Sequence, residues 1–270
     1  RTPLPAVLTG TYTRASVALT ETFRTLRRHR GTGPTGRRNE YLSALVGHFD
    51  DPHAASVMGR YDAFATALVN AELPAWFYLV SGSSRLVPLE KAPPERPGAD
   101  PDVRPVAVGE TDLCAITRTL WGSAEEALAA YLSPQQVAVG VPGGLSILVH
   151  GVRELLAHRP DFVVVRLDLA NAYNTIDRAV VLARIASVPE AAHLAPAFHA
   201  LHAPAAHLVL PNGEQLFGGD GGDSREGVRQ GSAEASAAFC IGIHPGLCTL
   251  DSDLRAAGGG AWADMDDVYA

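Results

Sequence analysis

The sequence predicts an α+β fold, and three stretches carry that prediction. Val163, Val164 and Val165 form a short β-branched run that reads as a buried strand, with Asp168 where it ends and Tyr173 five residues later. Asn174 and Thr175 follow, and residues 179–185 take up helical spacing. At the far end, two short apolar runs flank the acidic tip Asp264-Met265-Asp266-Asp267, the pattern of a hairpin with carboxylates at its turn. Leu145, Leu148, Val149, Val152 and Leu156 fall on one helical face, which predicts a helix packed under the strand that bears Asp168.

Along the chain, Val17, Leu19, Phe23 and Leu26 mark a first helical stripe, broken by the Gly- and Pro-containing run 31–36. A second helix starts at Asn39, and a third covers residues 54–71, ending at Leu73-Pro74. Residues 85–91 and 103–109 read as two strands joined by a Pro-rich loop. Ser123-Ala124-Glu125-Glu126 has the spacing of a capping box and marks a helix start. Two helical patterns follow the Asp168 strand, broken at Pro189, and residues 208–217 form a hairpin turning at Asn212-Gly213. No internal repeat is present, and the alanine richness is compositional bias.

With 270 residues, 47% of them hydrophobic and 19% charged, the chain can bury one large core or two intimate ones. A net charge of −7 argues against a wholesale basic nucleic-acid binder. The arginines are nevertheless clustered: Arg24, Arg27, Arg28, Arg30, Arg37 and Arg38, with His29, form one basic block. Such a block is either a solvated helix face and loop or a strip that contacts phosphates. Three cysteines without a regular framework fit a reducing compartment. No apolar run reaches transmembrane length and no signal pattern opens the chain, so an intracellular location, nuclear or cytoplasmic, and no membrane partner are expected. Beginning at Arg1 and stopping three residues after its acidic tip, the sequence reads as a piece of a longer protein.

The acids suggest the chemistry. A carboxylate at the tip of a buried strand is a poor core residue and a good metal ligand, although an isolated Asp there also serves as a turn residue or helix cap. Adjacent carboxylates are costly to keep ionised unless a cation sits between them. Asp168 and Asp266 together suit divalent ions that activate a hydroxyl and stabilise a leaving phosphate, and Mg²⁺ is a hard, oxygen-seeking ion of that kind. Three look-alikes compete. Cys240, His244 and Cys248 approach one face of a helix but lack a fourth zinc ligand, and Pro245 disturbs that helix. Residues 218–223 match the start of a calcium-binding nonapeptide, without the stacked repeats such sites need. Asp-x-Asp-Asp also occurs in helical terpene cyclases, against the strand pattern here.

These residues resemble a known family. The stretch 163–178 resembles motif A of reverse transcriptases, Asp264-Met265-Asp266-Asp267 resembles their motif C, and Glu226-Gly227-Val228-Arg229-Gln230-Gly231-Ser232 between them resembles motif B. The string from Gly33-Pro34 to Tyr41-Leu42 is similar to the extra N-terminal motif of the non-long-terminal-repeat enzymes, and residues 135–140 to the family's short strand and turn before motif A. The resemblance implies the fingers and palm of a right-hand polymerase, with an antiparallel palm sheet packed on helices, truncated before the thumb. It places the fingers at 1–118, palm at 119–180, a fingers-side excursion at 181–229 and the rest of the palm at 230–270.

It also implies an RNA-directed DNA polymerase. Two Mg²⁺ ions, with Mn²⁺ as a possible substitute, would be held by Asp168, Asp266 and the less critical Asp267. Lys91 and Arg104 match the residues that hold the triphosphate of the incoming nucleotide, Lys as a point charge and Arg as a fork. The Tyr173 ring would wall off the sugar 2′ position, and backbone N–H groups around Ala172 and Tyr173 could cradle phosphate oxygens. Gln230-Gly231 would lie beneath the nucleotide, Gly allowing close backbone approach. Arg30, Arg37 and Arg38 would contact template. The implied partners are an RNA or DNA template with primer, deoxynucleoside triphosphates, and a thumb segment of the parent chain. Two departures stand out: Ser232-Ala233-Glu234-Ala235-Ser236 replaces the usual Pro-Leu-Ser or Pro-Leu-Gly, and Asp264 replaces an aromatic. They support the alternative, a catalytically inactive, truncated retroelement remnant that at most binds nucleic acid.

Overall fold

The computed structural model describes residues 12–47, 51–90, 96, 103–216 and 223–270. In chain order its elements are α1 (Thr20–Arg24), α2 (Asn39–Val46), α3 (Pro52–Val69), α4 (Ala75–Ser81), β1 (Ser84–Glu90), β2 (Val103–Val108), α5 (Thr111–Gly122), α6 (Glu125–Leu132), α7 (Gly144–His158), β3 (Arg166–Asp168), α8 (Ala172–Thr175), α9 (Arg178–Ser187), α10 (Ala195–His202), β4 (Ala206–Val209), β5 (Gln215–Leu216), β6 (Asp223–Ser224), α11 (Ala235–Ala256), β7 (Trp262–Asp264) and β8 (Asp267–Tyr269). A 3₁₀ turn, Pro189–Leu194, joins α9 to α10. The fold is mixed α+β. It divides into two compact units: Arg1–Leu120, His193–Arg225 and Arg229–Ala233 form the first; Trp121–Ala192, Glu226–Val228 and Glu234–Ala270 the second. Among the described residues no helix is long and apolar enough to cross a membrane.

In the first unit, β1 and β2 pair antiparallel as the sequence predicts, and β4 joins β1 in parallel while pairing antiparallel with β5 and β6. The β4–β5 hairpin turns at Asn212-Gly213, with Gly213 at φ +84°. Helices α4 and α5 were not anticipated. The expected first helix is a correction: only residues 20–24 are helical, and Ala15, Val17 and Leu19 are buried alternately in the non-helical segment that leads to the α1 N-cap, Leu19. Their backbone N–H groups donate to Asn70 Oδ1 (3.0 Å), Thr66 Oγ1 (3.2 Å) and Asp62 Oδ1 (2.9 Å), side chains four apart along α3 and its C-cap, Asn70. Every second residue of a strand advances about 6.6 Å, close to the roughly 6 Å of four helical residues, so the two repeats match. Donors used in this way are lost to a helix. Phe23, Leu42, Leu68, Tyr78 and Ile116 complete this core.

In the second unit, β3, β8 and β7 form a three-stranded antiparallel sheet in that spatial order. Ala263 and Val268 lie on its inner face, and Leu247, Leu250 and Leu254 of α11 pack against them. Helix α11 runs unbroken through Pro245, against expectation, and packs on α6 and α9. Residues 135–137 add a short parallel bridge to the outer edge of β7, with Val137 N donating to Ala263 O at 2.9 Å.

Two local expectations are corrected here. Val163, Val164 and Val165 precede the strand and are 81%, 36% and 49% exposed, and all of β3 is exposed. The reason is tertiary: β3 is an edge strand, and the apolar cover supplied by α11 lies under β7 and β8. Helix α7 forms as predicted and packs mainly on β7; Leu148 is buried while Leu145, Val149 and Leu156 are exposed. Helix α6 starts at Glu125, where the Ser123-Ala124-Glu125-Glu126 spacing marks a helix start, with Ala124 at its N-cap.

Candidate functional site

The acidic tip is a hairpin turn. Asp264 pairs with Asp267 across β7 and β8, and Asp267 pairs with Asp168 across β8 and β3. Three aspartates from two distant stretches therefore form one row across the end of the sheet, neighbours about 5 Å apart at Cα. Side chains alternate faces along each strand. The row thus points away from the face that carries Ala263 and Val268. Asp266 sits beside the row in the two-residue loop. The helical terpene-cyclase alternative is excluded by this geometry.

The row is not electrostatically uniform. Arg166, two residues before Asp168, donates to Asp267 Oδ1 from both Nη2 (2.6 Å) and Nε (3.1 Å). That leaves Asp267 Oδ2 outside the pair and offsets one charge of the row. Burial, then the charges of Asp267 and Asp266, push the Asp264 carboxyl above the usual carboxylate range. Its proton is bound more tightly in the folded state, so its contribution to stability is largest at low pH and is lost as pH rises through the raised value. Asp264→Asn is accordingly expected to raise the thermal midpoint at pH 7. The advantage should shrink as pH falls toward 3.8; a gain that is flat with pH would contradict the account.

Tyr173 lies over this turn. Its hydroxyl donates to Met265 Sδ at 3.2 Å, and its ring centroid is 5.1 Å from that of Phe239 on α11. Burial raises the phenol pKa, Asp266 and Asp264 add to the rise, and a hydrogen bond with Ser236 opposes it. The stretches resembling motifs A and C thus meet on the first turns of α11. Cys240 is buried on the same helix, and its thiol is pushed up to about 12, by burial first and then by Asp264 and Asp266. A thiol that holds its proton so firmly is a poor metal ligand. Cys248 Sγ lies 3.4 Å from His244 Nε2, a contact within the helix.

Several binding features that the sequence suggests are used internally. The Ala172 N–H donates to Leu169 O at 3.3 Å and Ala172 is buried, so this N–H is engaged within the chain. Gly231, at φ +116°, does allow a close approach, but to the chain itself: a Cβ there would lie 2.7 Å from Ala107 O of β2. Gln230 O accepts from Ala107 N at 2.8 Å in the same contact. Arg37 is engaged by Asp112 and hydrogen-bonds Tyr61, so it buttresses the first unit. Arg104 is exposed on β2 opposite Leu89. Lys91 and the nonapeptide look-alike at 218–222 lie outside the described residues.

Two adjoining clefts in the first unit keep the arginine block open. One, of about 450 Å³, is lined by Arg30, Arg38 and Arg85. The other, of about 540 Å³, is lined by Arg27, Arg30 and Arg118. Three exposed guanidinium groups around one cleft suit the phosphates of a nucleic-acid backbone.

Three residues that sequence reasoning missed hold the acidic turn and the Tyr173 segment beside it. Gln136 is 1% exposed; its Oε1 accepts from Met265 N (2.9 Å) and Ala138 N (3.2 Å), and its Nε2 donates to Met265 O at 3.2 Å. Met265 has φ +57°, a left-handed conformation that costs a non-glycine residue about 1–2 kcal/mol. Arg178 donates to the carbonyl oxygens of Gly227 (Nε, 2.6 Å) and Glu226 (Nη2, 3.0 Å). Gly227 itself lies at φ +62° against the Tyr173 and Asn174 backbone. The glycine that follows Glu226 was the only sequence signal for any of them.

Among the described residues no three His, Cys, Asp or Glu side chains converge into a ready-made metal cage. Pairs of neighbouring carboxylates along the row are what the structure offers. They fit Mg²⁺, which is bound through one or two carboxylates and completes its octahedron with water and substrate phosphates. No family model matches the chain, and no curated protein matches it.

Proposed function

We propose that the chain is the fingers and palm of an RNA-directed DNA polymerase of the non-long-terminal-repeat retroelement kind. One observation carries the reading: Asp168 and the Asp264–Asp267 turn, far apart in sequence, are register partners at one end of a single antiparallel sheet. In this reading the second unit is the palm and the first unit supplies the fingers.

Asp168, Asp266 and the free oxygen of Asp267 are the residues that would hold the divalent ions. Bound there, such ions stabilise the attacking and leaving oxygens of an in-line displacement. In that displacement a primer 3′-oxygen bonds to the α-phosphorus of a deoxynucleoside triphosphate as the bond to the β-phosphate oxygen breaks. Pyrophosphate leaves, and the hydroxyl proton goes to solvent. Arg104 and Lys91 are assigned the charge of the triphosphate, and Arg27, Arg30, Arg38 and Arg118 the template backbone. Tyr173, held through both its ring and its hydroxyl, is a rigid wall suited to excluding a 2′-hydroxyl. Tyr173→Val is expected to raise ribonucleotide use relative to deoxynucleotide use by about tenfold or more. An unchanged ratio would remove Tyr173 from that role.

The second reading, an inactive remnant that binds nucleic acid, is favoured by Arg166 on Asp267 and by the extra carboxylate Asp264. Primer extension on an RNA template with Mg²⁺, using the full-length protein, separates the two. Template-directed incorporation supports the polymerase. A folded protein that binds the primer–template and extends nothing favours the remnant.

A further inference from the structure

We infer that Gln136 is a positioning residue for the cation-binding turn, an inference that rests on the polymerase reading of the carboxylate row. The segment around Gln136 is tied to β7 by its backbone: Ala263 N donates to Gln135 O at 2.6 Å and Val137 N to Ala263 O at 2.9 Å. From that rail the Gln136 side chain reaches past the end of β7 and closes a two-bond ring with the backbone of Met265, the residue between Asp264 and Asp266. Its amide orientation is set by its partners, because Oε1 faces two N–H donors and Nε2 faces a carbonyl. The turn it grips is in the left-handed region with a side chain that does not favour it, so the turn needs an external hold.

Only a primary amide of this length answers both groups of Met265. A carboxylate at this position would set an acceptor against the Met265 carbonyl and add a charge beside Asp264 and Asp266. A methionine would fill the space and leave both backbone groups unpaired in a buried site. The neighbouring Gln135 provides an internal control. Its Nε2 donates to Asp251 Oδ2 at 2.8 Å, and Asp251, 3% exposed, also accepts from Ala261 N at 2.9 Å and from Arg255 Nε at 2.8 Å. Gln135 therefore supports the start of β7 without touching the turn.

The test compares the wild type, Gln136→Met, Gln136→Glu and Gln135→Met in the full-length protein. Cation binding is read from Tb³⁺ luminescence sensitised by Trp262 on β7, with Asp266→Ala defining the signal that belongs to the turn. Amide hydrogen exchange at Met265 reports the hold itself. Gln136→Met should weaken Tb³⁺ and Mg²⁺ binding by about tenfold or more and speed Met265 exchange, and Gln136→Glu should do the same. Gln135→Met should lower the melting temperature while leaving the cation midpoint where it is. Equal midpoints in wild type and Gln136→Met overturn the inference, as do equal shifts from the Gln135 and Gln136 variants. A wild type without an Asp266-dependent signal also overturns it. A wild type that binds the cation and incorporates no nucleotide defeats the polymerase reading alone, and the titrations still decide the role of Gln136.

Discussion

Alanine at Asp168 or at Asp266 is expected to abolish primer extension by the intact protein. In the polymerase reading, ions held by these carboxylates would supply several kcal/mol of transition-state stabilisation. At 1.36 kcal/mol per factor of ten, losing a ligand lowers the rate by roughly a thousandfold or more. Folding should survive: Asp168 is exposed, and its removal relieves repulsion along the row rather than opening a core. Asp267→Ala should cost less, because Arg166 already occupies one of its oxygens. The measurement is single-nucleotide incorporation with Mg²⁺ on an RNA template, with thermal melts beside it. A metal-dependent rate that survives either Asp168→Ala or Asp266→Ala would remove the aspartate row from catalysis, and with it the polymerase reading.

Gly227→Ala is expected to produce the largest loss of stability among the substitutions considered. A Cβ at this position would stand 2.3 Å from Tyr173 O and from the Asn174 carbonyl carbon, and these are backbone atoms that cannot swing aside. The residue is also at φ +62°, where a side chain costs about 1–2 kcal/mol before any overlap is counted. Val228 N donates to Tyr173 O at 2.7 Å and Arg178 binds the Glu226 and Gly227 carbonyls, so the segment cannot back away without giving up those bonds. Together these place the loss at roughly 3–5 kcal/mol. Urea unfolding of the purified variant measures it. A change within about 0.5 kcal/mol, the range of an inert surface substitution, would show that this contact does not hold the Tyr173 turn.

The sequence by itself determined the elements whose signals are local. Asn212-Gly213 turns a hairpin because glycine accepts positive φ, and residues 178–187 form a helix because Asp177 caps it, accepting from Ala179 N at 2.7 Å. The acidic tip formed a hairpin for the same kind of reason, since two short strands can close only across a short turn.

Tertiary structure decided what the local pattern left open. Val17 and Leu19 satisfy either a helical or an alternating reading, and the choice fell to acceptors on α3, at Asp62 and Thr66, which no nearby residue announces. Val163 to Val165 were apolar enough for a core strand, but burial depends on which face a distant helix covers, and α11 covers β7 and β8. Gly231 signalled a close approach without saying to what, and Ala107 of β2 takes that space. A lone buried amide such as Gln136 has no period and no spacing, so only its contact with Met265 gives it meaning. That the acidic tip is a hairpin turn was legible in its residue types and spacing. The alignment of the aspartates in one row was a matter of strand register, which long-range pairing alone sets.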